Sequence, residues 1–166
     1  MKFIKTLFVL SLLSIMFLAI ACEDNEAENP APESATISGT ITFTNIVNWP
    51  MDGDVALSLS LTWPPTGAPA ASFAITSSDL SNDTYDYTFE NVAFGIYPAI
   101  AVSWQDPNDS NSATNQYTLG AYGGSYPFFT AYGGTDPTVV TVSEAEYELN
   151  DLDFNADFDF AGGSGQ

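Results

Sequence analysis

The chain has 166 residues, and its 21 Asp and Glu against two lysines and no histidine give a formal net charge of −19 at pH 7. The chain has no histidine, which excludes Ser-His-Asp and Cys-His nucleophiles and histidine metal sites. Both lysines, Lys2 and Lys5, lie at the amino terminus, so the rest of the chain has no lysine for a Schiff base. The negative charge also disfavours nucleic acid, anionic lipid headgroups and phosphate ligands.

The first 22 residues have the pattern of an export signal. Lys2 and Lys5 precede an apolar run to Ala21, and acidic residues follow in place of the positive charges that usually flank a spanning helix on its cytoplasmic side. The sequence Leu-Ala-Ile-Ala-Cys at 18–22 resembles the lipobox of bacterial lipoproteins. That resemblance implies a signal peptide at 1–21 and acylation of Cys22, with more than one acyl chain for stable membrane anchoring. The alternative is a free cysteine beside an ordinary cleavage site.

The acidic residues after Cys22 resemble the signal that carries lipoproteins of Bacteroidetes to the outer face of the outer membrane. This resemblance implies a lipid-anchored protein facing the cell exterior, whereas the alternative is a solvated tether with no sorting role. Two prolines and a scarcity of aromatic residues predict a flexible tether over 22–34 in both cases. Removing 21 signal residues from 166 leaves 145, so we expect one domain at 35–160 and a disordered tail at 161–166.

Alternation of apolar and polar residues dominates the predicted domain. Period two with many β-branched residues indicates half-buried strands, and only residues 143–147 are compatible with a turn of helix. Seven to eight short strands separated by Gly and Pro predict an all-β fold, an immunoglobulin-like antiparallel β-sandwich. The predicted strands are 35–47, 55–63, 72–76, 85–91, 96–104, 117–122, 138–142 and 152–160.

Residues 87–104, YTFENVAFGIYPAIAVSW, predict an aromatic strand, a hairpin-like turn at 91–95 with Gly95 at its bend, and an alternating strand. Together with the opening ISGTITF and the closing LNDLDFNADF, this stretch resembles carboxypeptidase regulatory-like and transthyretin-like modules, with Phe89, Gly95 and Tyr97 at the matching positions. The resemblance implies a non-catalytic binding or spacer module and supplies no active-site residues.

Two acidic segments are candidate calcium ligands. DPNDSN at 106–111 offers Asp106, Asn108 and Asp109 as clustered oxygen ligands, and the alternative is an Asx-rich turn in which these side chains bond nearby backbone groups. The acids of 151–157 resemble the start of a calcium loop, but they alternate with apolar residues, so we expect a solvated strand face there.

The sequence Ala-Tyr-Gly-Gly occurs at 121–124 and again at 131–134. Its glycines predict a long loop with close backbone approach. Tyr122, Tyr126 and Tyr132 are candidate ligand-binding residues, either as a platform for neutral sugars or an apolar partner, or as packing that plugs one end of the sandwich.

These patterns together predict a lipid-anchored, surface-exposed, non-catalytic binding or structural module that contacts the membrane through its anchor and does not bind nucleic acid. The partner is expected to be a neutral glycan or a protein, because the charge disfavours anions. The alternatives are a calcium-stabilised adhesion domain, a carbohydrate-binding accessory domain and a glycosidase working with two carboxylates.

Overall fold

The computed structural model describes residues 31–112 and 114–162. The predicted signal peptide, Cys22, most of the tether and the last four residues of the predicted tail lie outside these ranges. The described chain contains short 3₁₀ helices and strands but no α-helix, and none of its helices is long and apolar enough to cross a membrane. The strands are β1 Ala35–Thr44, β2 Asp54–Ser60, β3 Ala71–Ile75, β4 Thr84–Val92, β5 Gly95–Tyr97, β6 Ala99–Gln105, β7 Gln116–Ala121, β8 Val140–Val142, β9 Glu148–Leu149 and β10 Phe154–Asp157.

The predicted all-β sandwich is confirmed, with ten strands in the described chain in place of the seven to eight expected. Sheet A contains β4, β1, β9 and β10, and sheet B has the order β3-β2-β6-β7. A two-stranded sheet C joins β5 and β8. Sheet B is antiparallel throughout, but β9 and β10 pair with β1 in parallel, so the expectation of a purely antiparallel sandwich is wrong at this edge.

The predicted hairpin at 91–95 is also wrong. The strand before it, β4, pairs with β1 in sheet A, whereas the strands after it, β5 and β6, belong to sheets C and B. Gly95 begins β5, so the short link after β4 carries the chain from sheet A to sheet C. The single strand predicted over 96–104 is two strands separated at Pro98, which has no N–H to donate.

The main core lies between sheets A and B and follows the period-two pattern of the sequence. Alternate residues of each strand point inward, and burying each large apolar side chain is worth about 1.5–3 kcal/mol. The largest completely buried side chains are Ile37, Ile41, Leu57, Leu59, Phe89, Ile100, Val102, Leu119, Val142 and Phe158.

Two glycines let the closing segment, residues 150–157, pack closely against neighbouring strands. A Cβ at Gly39 would lie 2.5 Å from the carbonyl oxygen of Leu152, in the link between β9 and β10. A Cβ at Gly120 of β7 would overlap the carbonyl oxygen of Asn155 in β10. Hydrogen at these two positions therefore allows the link after β9 to lie against β1 and allows β10 to lie against β7.

Candidate functional site

A groove of about 540 Å³ lies on the outer face of sheet B. Its floor follows from the alternation in β2, where Val55, Leu57 and Leu59 point into the core, so that Ser58 and Ser60 face the other way. Strands β6 and β7 continue the floor with three uncharged polar side chains and one alanine. These are Ala101, Ser103, Gln116 and Thr118.

The loop between β2 and β3 forms one wall of the groove, and Trp63 is its main aromatic side chain. Within the loop, the N–H of Thr66 donates a hydrogen bond to Oγ1 of Thr62 at 2.9 Å. The indole Nε1–H of Trp63 donates to the carbonyl oxygen of Phe128 at 3.1 Å, and the ring stacks on Phe129 with centroids 5.5 Å apart. The wall is therefore fixed by two loops that are distant in sequence.

Residues 122–139, between β7 and β8, form a loop rich in aromatic side chains, which we call the aromatic loop. A small hydrophobic cluster of its own anchors this loop on sheet B. Phe128 is buried against Ala101 and Ala121, and Tyr126 stacks on Phe160 with centroids 4.2 Å apart. Strand β6 is thus covered on both faces, by the main core and by this second cluster. The loop holds Phe129 at the edge of the groove, where it packs against Trp63.

Hydrogen bonds among the polar side chains of the floor and its neighbour Ser72 determine which groups a ligand meets. The hydroxyl of Ser72 donates to the carbonyl oxygen of Leu57 at 3.1 Å, so its single proton is used and Ser58 donates to Ser72 across 3.2 Å. Ser58 therefore presents acceptor lone pairs to the groove. The side-chain Nε2 of Gln116 donates to Oγ of Ser103 at 3.2 Å, so this bond does not use the Ser103 hydroxyl proton.

The groove differs electrostatically from the rest of the molecule. Among the described residues that line it, none carries a charged side chain. The chain as a whole has 21 acidic residues, so a neutral concave surface stands out on it. Such a surface can accept a neutral polar ligand by stacking and hydrogen bonding without burying an unpaired charge.

The three tyrosines predicted to bind a ligand occupy three different environments. Tyr122 is half-buried against the main core, and Tyr126 is half-buried by its stack on Phe160. Tyr132 is 78 % exposed and packs edge-on against Phe129, with centroids 6.1 Å apart. Only Tyr132 therefore lies open beside the aromatic wall.

The predicted calcium ligands lie in the loop between β6 and β7. Asp106 accepts a hydrogen bond from the backbone N–H of Asn108 at 2.8 Å, and Asp109 accepts one from that of Asn111 at 2.8 Å. The Thr114 hydroxyl, 2.6 Å from Asp109, and then the Asn111 N–H lower the pKa of the Asp109 carboxyl. In residues 31–112 and 114–162, no three His, Cys, Asp or Glu side chains are grouped to hold a metal, and calcium binding stays a prediction.

The acids of 151–157 do more than solvate a strand face. The carboxylate of Asp153 accepts a hydrogen bond from the backbone N–H of Thr40 at 2.7 Å, where the parallel pairing of β1 is interrupted between β9 and β10. Asp157 accepts one from Nδ2 of Asn45 at 2.7 Å. These carboxylates thus fasten the closing segment to β1 and to the loop after it.

The residues of the groove are not among the candidate site residues predicted from the sequence, and Trp63 lies in a loop and not at the end of a strand as predicted. A usable signal was present, because Ser58 and Ser60, two outward positions of β2, are small, polar and uncharged. The adjacency of β2, β6 and β7 could not be read from local periodicity, however, so these positions were not joined into one surface.

Cys22 lies outside the described residues, and its acylation stays a prediction. The likeness to carboxypeptidase regulatory-like modules stays a prediction as well, since the β-sandwich alone is common to many groups of proteins. Comparison of the chain with protein-family models, with curated proteins and with solved structures gives no match.

Proposed function

We propose that the protein is a lipid-anchored, non-catalytic module of the bacterial cell surface that binds a neutral carbohydrate in the groove on sheet B. One observation carries the proposal: a fixed aromatic wall stands beside an uncharged floor of hydroxyl and amide groups. Carbohydrate rings combine an apolar face of C–H groups with hydroxyls at the ring edge, which is the chemistry this wall and floor complement.

The wall suits stacking. The indole N–H of Trp63 already donates to Phe128, so the side chain offers a ligand its ring surface and not a hydrogen bond. Aromatic side chains contribute a large apolar contact area at low conformational cost when they are already ordered. The contact with Phe129 orders Trp63 before a ligand arrives.

The floor suits hydroxyl groups, which both donate and accept. Ser58 presents an acceptor, the Ser103 hydroxyl can donate its proton, and the amide of Gln116 can supply both a donor and an acceptor. The charge of the chain repels glycans that carry carboxylate or sulfate groups, so the ligand class is neutral.

Binding is favoured over hydrolysis at this surface. A glycosidase needs two carboxyl groups about 5–9.5 Å apart across the scissile bond. The described lining of the groove contains no Asp or Glu, so the hydrolytic alternative has no acid and base there.

The binding test is a glycan array followed by calorimetry with the chain from residue 22 onward. Trp63→Ala is expected to weaken binding of a neutral oligosaccharide at least about tenfold, which corresponds to about 1.4 kcal/mol. Trp104→Ala is the matched control, since it removes the same side chain from outside the groove. Circular dichroism checks that both variants fold. Equal binding by the two variants, or no neutral glycan bound by the wild type, contradicts the proposal.

The anchoring test is independent of the groove. Cys22→Ser is expected to abolish labelling by a fatty-acid analogue and to release the protein from the membrane fraction, and unchanged labelling contradicts the lipoprotein prediction. Exposure on intact cells should be probed with proteinase K, because the chain after Lys5 has no Lys or Arg for trypsin to cut.

A further inference from the structure

The loop between β1 and β2 exposes large apolar side chains at one end of the sandwich. Val47 is 89 % exposed and Met51 is 99 % exposed, and Ile46 beside them is also exposed. We define residues 46–51 as the apolar tip. Single exposed apolar residues are ordinary, but several together in one short loop mark an interaction surface.

The exposure does not come from a loosely held loop. Nδ2 of Asn48 donates to the carboxylate of Asp159 at 2.7 Å. Trp49 turns inward and packs between Phe43 and Phe158, with centroids 5.8 Å and 4.5 Å from its own. Directly after the tip, the carbonyl oxygen of Asp52 accepts a hydrogen bond from Nε1 of Trp104 at 3.0 Å. The tip is therefore preorganised, which lowers the entropic cost of binding.

A shallow concavity of about 520 Å³ adjoins the tip. Pro50, Met51, Trp104 and Phe158 contribute its apolar lining, and polar residues including Asn108 contribute the rest. Together the projecting tip and the concavity have the form of a protein interface, with an apolar centre and a polar rim.

The rim is acidic. Asp52 and Asp159 line the concavity, Asp54 begins β2 next to the tip, and Asp106 follows β6, whose Gln105 pairs with Asp54. The described residues include no Lys, Arg or His to balance these carboxylates. A second copy of this chain, an anionic membrane and a nucleic acid would all meet this rim with like charge.

We infer that the apolar tip docks a protein partner that presents apolar side chains surrounded by Lys and Arg. The charge complementarity fixes the sign of the partner's rim, and the exposed apolar area fixes the chemistry of its centre. The tip follows the last residue of β1, at the opposite end of that strand from Ala35, where the chain enters the domain. This docking surface is separate from the groove on sheet B, and the lining residues of the two surfaces do not overlap.

The test uses fluorescence anisotropy with the chain from residue 22 onward and two labelled helical peptides. Both peptides carry leucines on one face, flanked by lysines in one peptide and by glutamates in the other. The lysine peptide is expected to bind at least tenfold more tightly than the glutamate peptide, and more weakly as salt rises. The double variant Val47→Ser/Met51→Ser is expected to weaken that binding at least tenfold. The control is Ile96→Ser/Val139→Ser, which removes side chains 66 % and 55 % exposed on sheet C and in the segment before β8.

Several outcomes overturn the inference. These are no binding of the lysine peptide, equal binding of the two peptides, and equal affinity of the two double variants. Sedimentation of the protein without peptide tests one more outcome. If the wild type is a dimer and Val47→Ser/Met51→Ser is a monomer, the tip binds a second copy of this chain and the inference is overturned. Lysine-peptide binding that is lost only in the tip variant supports the docking surface, whether or not the groove binds carbohydrate.

Discussion

The hydroxyl of Tyr87 donates a buried hydrogen bond to the carbonyl oxygen of Leu152 at 2.7 Å. Tyr87 lies in β4 and Leu152 in the link between β9 and β10, so the bond passes across β1, which lies between these elements. The N–H of Leu152 donates to the carbonyl oxygen of Ser38 at 3.1 Å, and Gly39 leaves room for both contacts. One link residue thus joins the closing segment to two other strands of sheet A.

Tyr87→Phe is expected to lower the free energy of unfolding by about 1–3 kcal/mol, because a buried carbonyl oxygen loses its donor. Denaturant unfolding followed by tryptophan fluorescence measures the change. Tyr132→Phe, at an exposed ring, is the control and should lie within about 0.5 kcal/mol of wild type. Equal stability of the two variants would show that the Leu152 carbonyl finds another partner.

The same tyrosine predicts sensitivity to alkaline pH. Burial first, and then the charges of Asp153 and Tyr122, raise the pKa of the Tyr87 phenol above its usual value. The unfolded chain therefore loses this proton near pH 10, while the folded chain keeps it to higher pH. The free energy of unfolding is unaffected by this group below pH 10 and decreases as the pH rises above that value. Unfolding measured from pH 8 to 11 should show this loss, and it should be smaller in Tyr87→Phe. Parallel curves for the two proteins would remove Tyr87 as its cause.

Gly39→Ala is expected to destabilise the domain by about 1–3 kcal/mol, because the new methyl group meets the Leu152 backbone, which cannot rotate away. Gly95→Ala is the matched control, since a Cβ there has no neighbour within 4 Å. Thermal melting of both variants measures the difference. A Gly39→Ala protein as stable as Gly95→Ala would mean that the link between β9 and β10 can shift at little cost.

Local pattern predicted the strands well and their arrangement poorly. The start of β1 at Ala35 and the inward set Val55, Leu57 and Leu59 follow from period two alone. The parallel pairing of β1 with β9 and β10 depends on contacts between distant segments, which periodicity does not encode. The site was missed for the same reason, because the bond from Trp63 to Phe128 spans 65 positions.

The aromatic loop after β7 supplies a prediction that separates packing from exposure. Tyr126→Ala is expected to cost at least about 2 kcal/mol, since it removes a ring stacked on Phe160. Tyr132→Ala should cost no more than about 0.5 kcal/mol. Denaturant unfolding of the two variants provides the measurement. A large loss at Tyr132 would place that ring among the packing residues and away from any ligand.

The calcium prediction for the loop at 106–111 has a direct test. If Asp106 and Asp109 bind the ion, millimolar calcium should raise the melting temperature beyond sodium chloride of equal ionic strength, because binding only to the folded chain stabilises it. The variant Asp106→Asn/Asp109→Asn should lose that excess. Equal melting temperatures in the two salts would leave this loop as a pair of Asx turns.

The pairing of β1 with β10 determines when in its synthesis the chain can complete sheet A. Ser38 bonds Asn150, 112 positions later, so sheet A closes only when almost the whole domain is available. Strand pairings between distant segments form slowly, because a long loop must be ordered before its contacts are gained. Because synthesis begins at the amino terminus, β1 is made long before its partners β9 and β10 exist, and sheet A cannot be completed part-way through synthesis. The topology of sheet A therefore delays the closure of the sandwich until the last strands of the domain have been made.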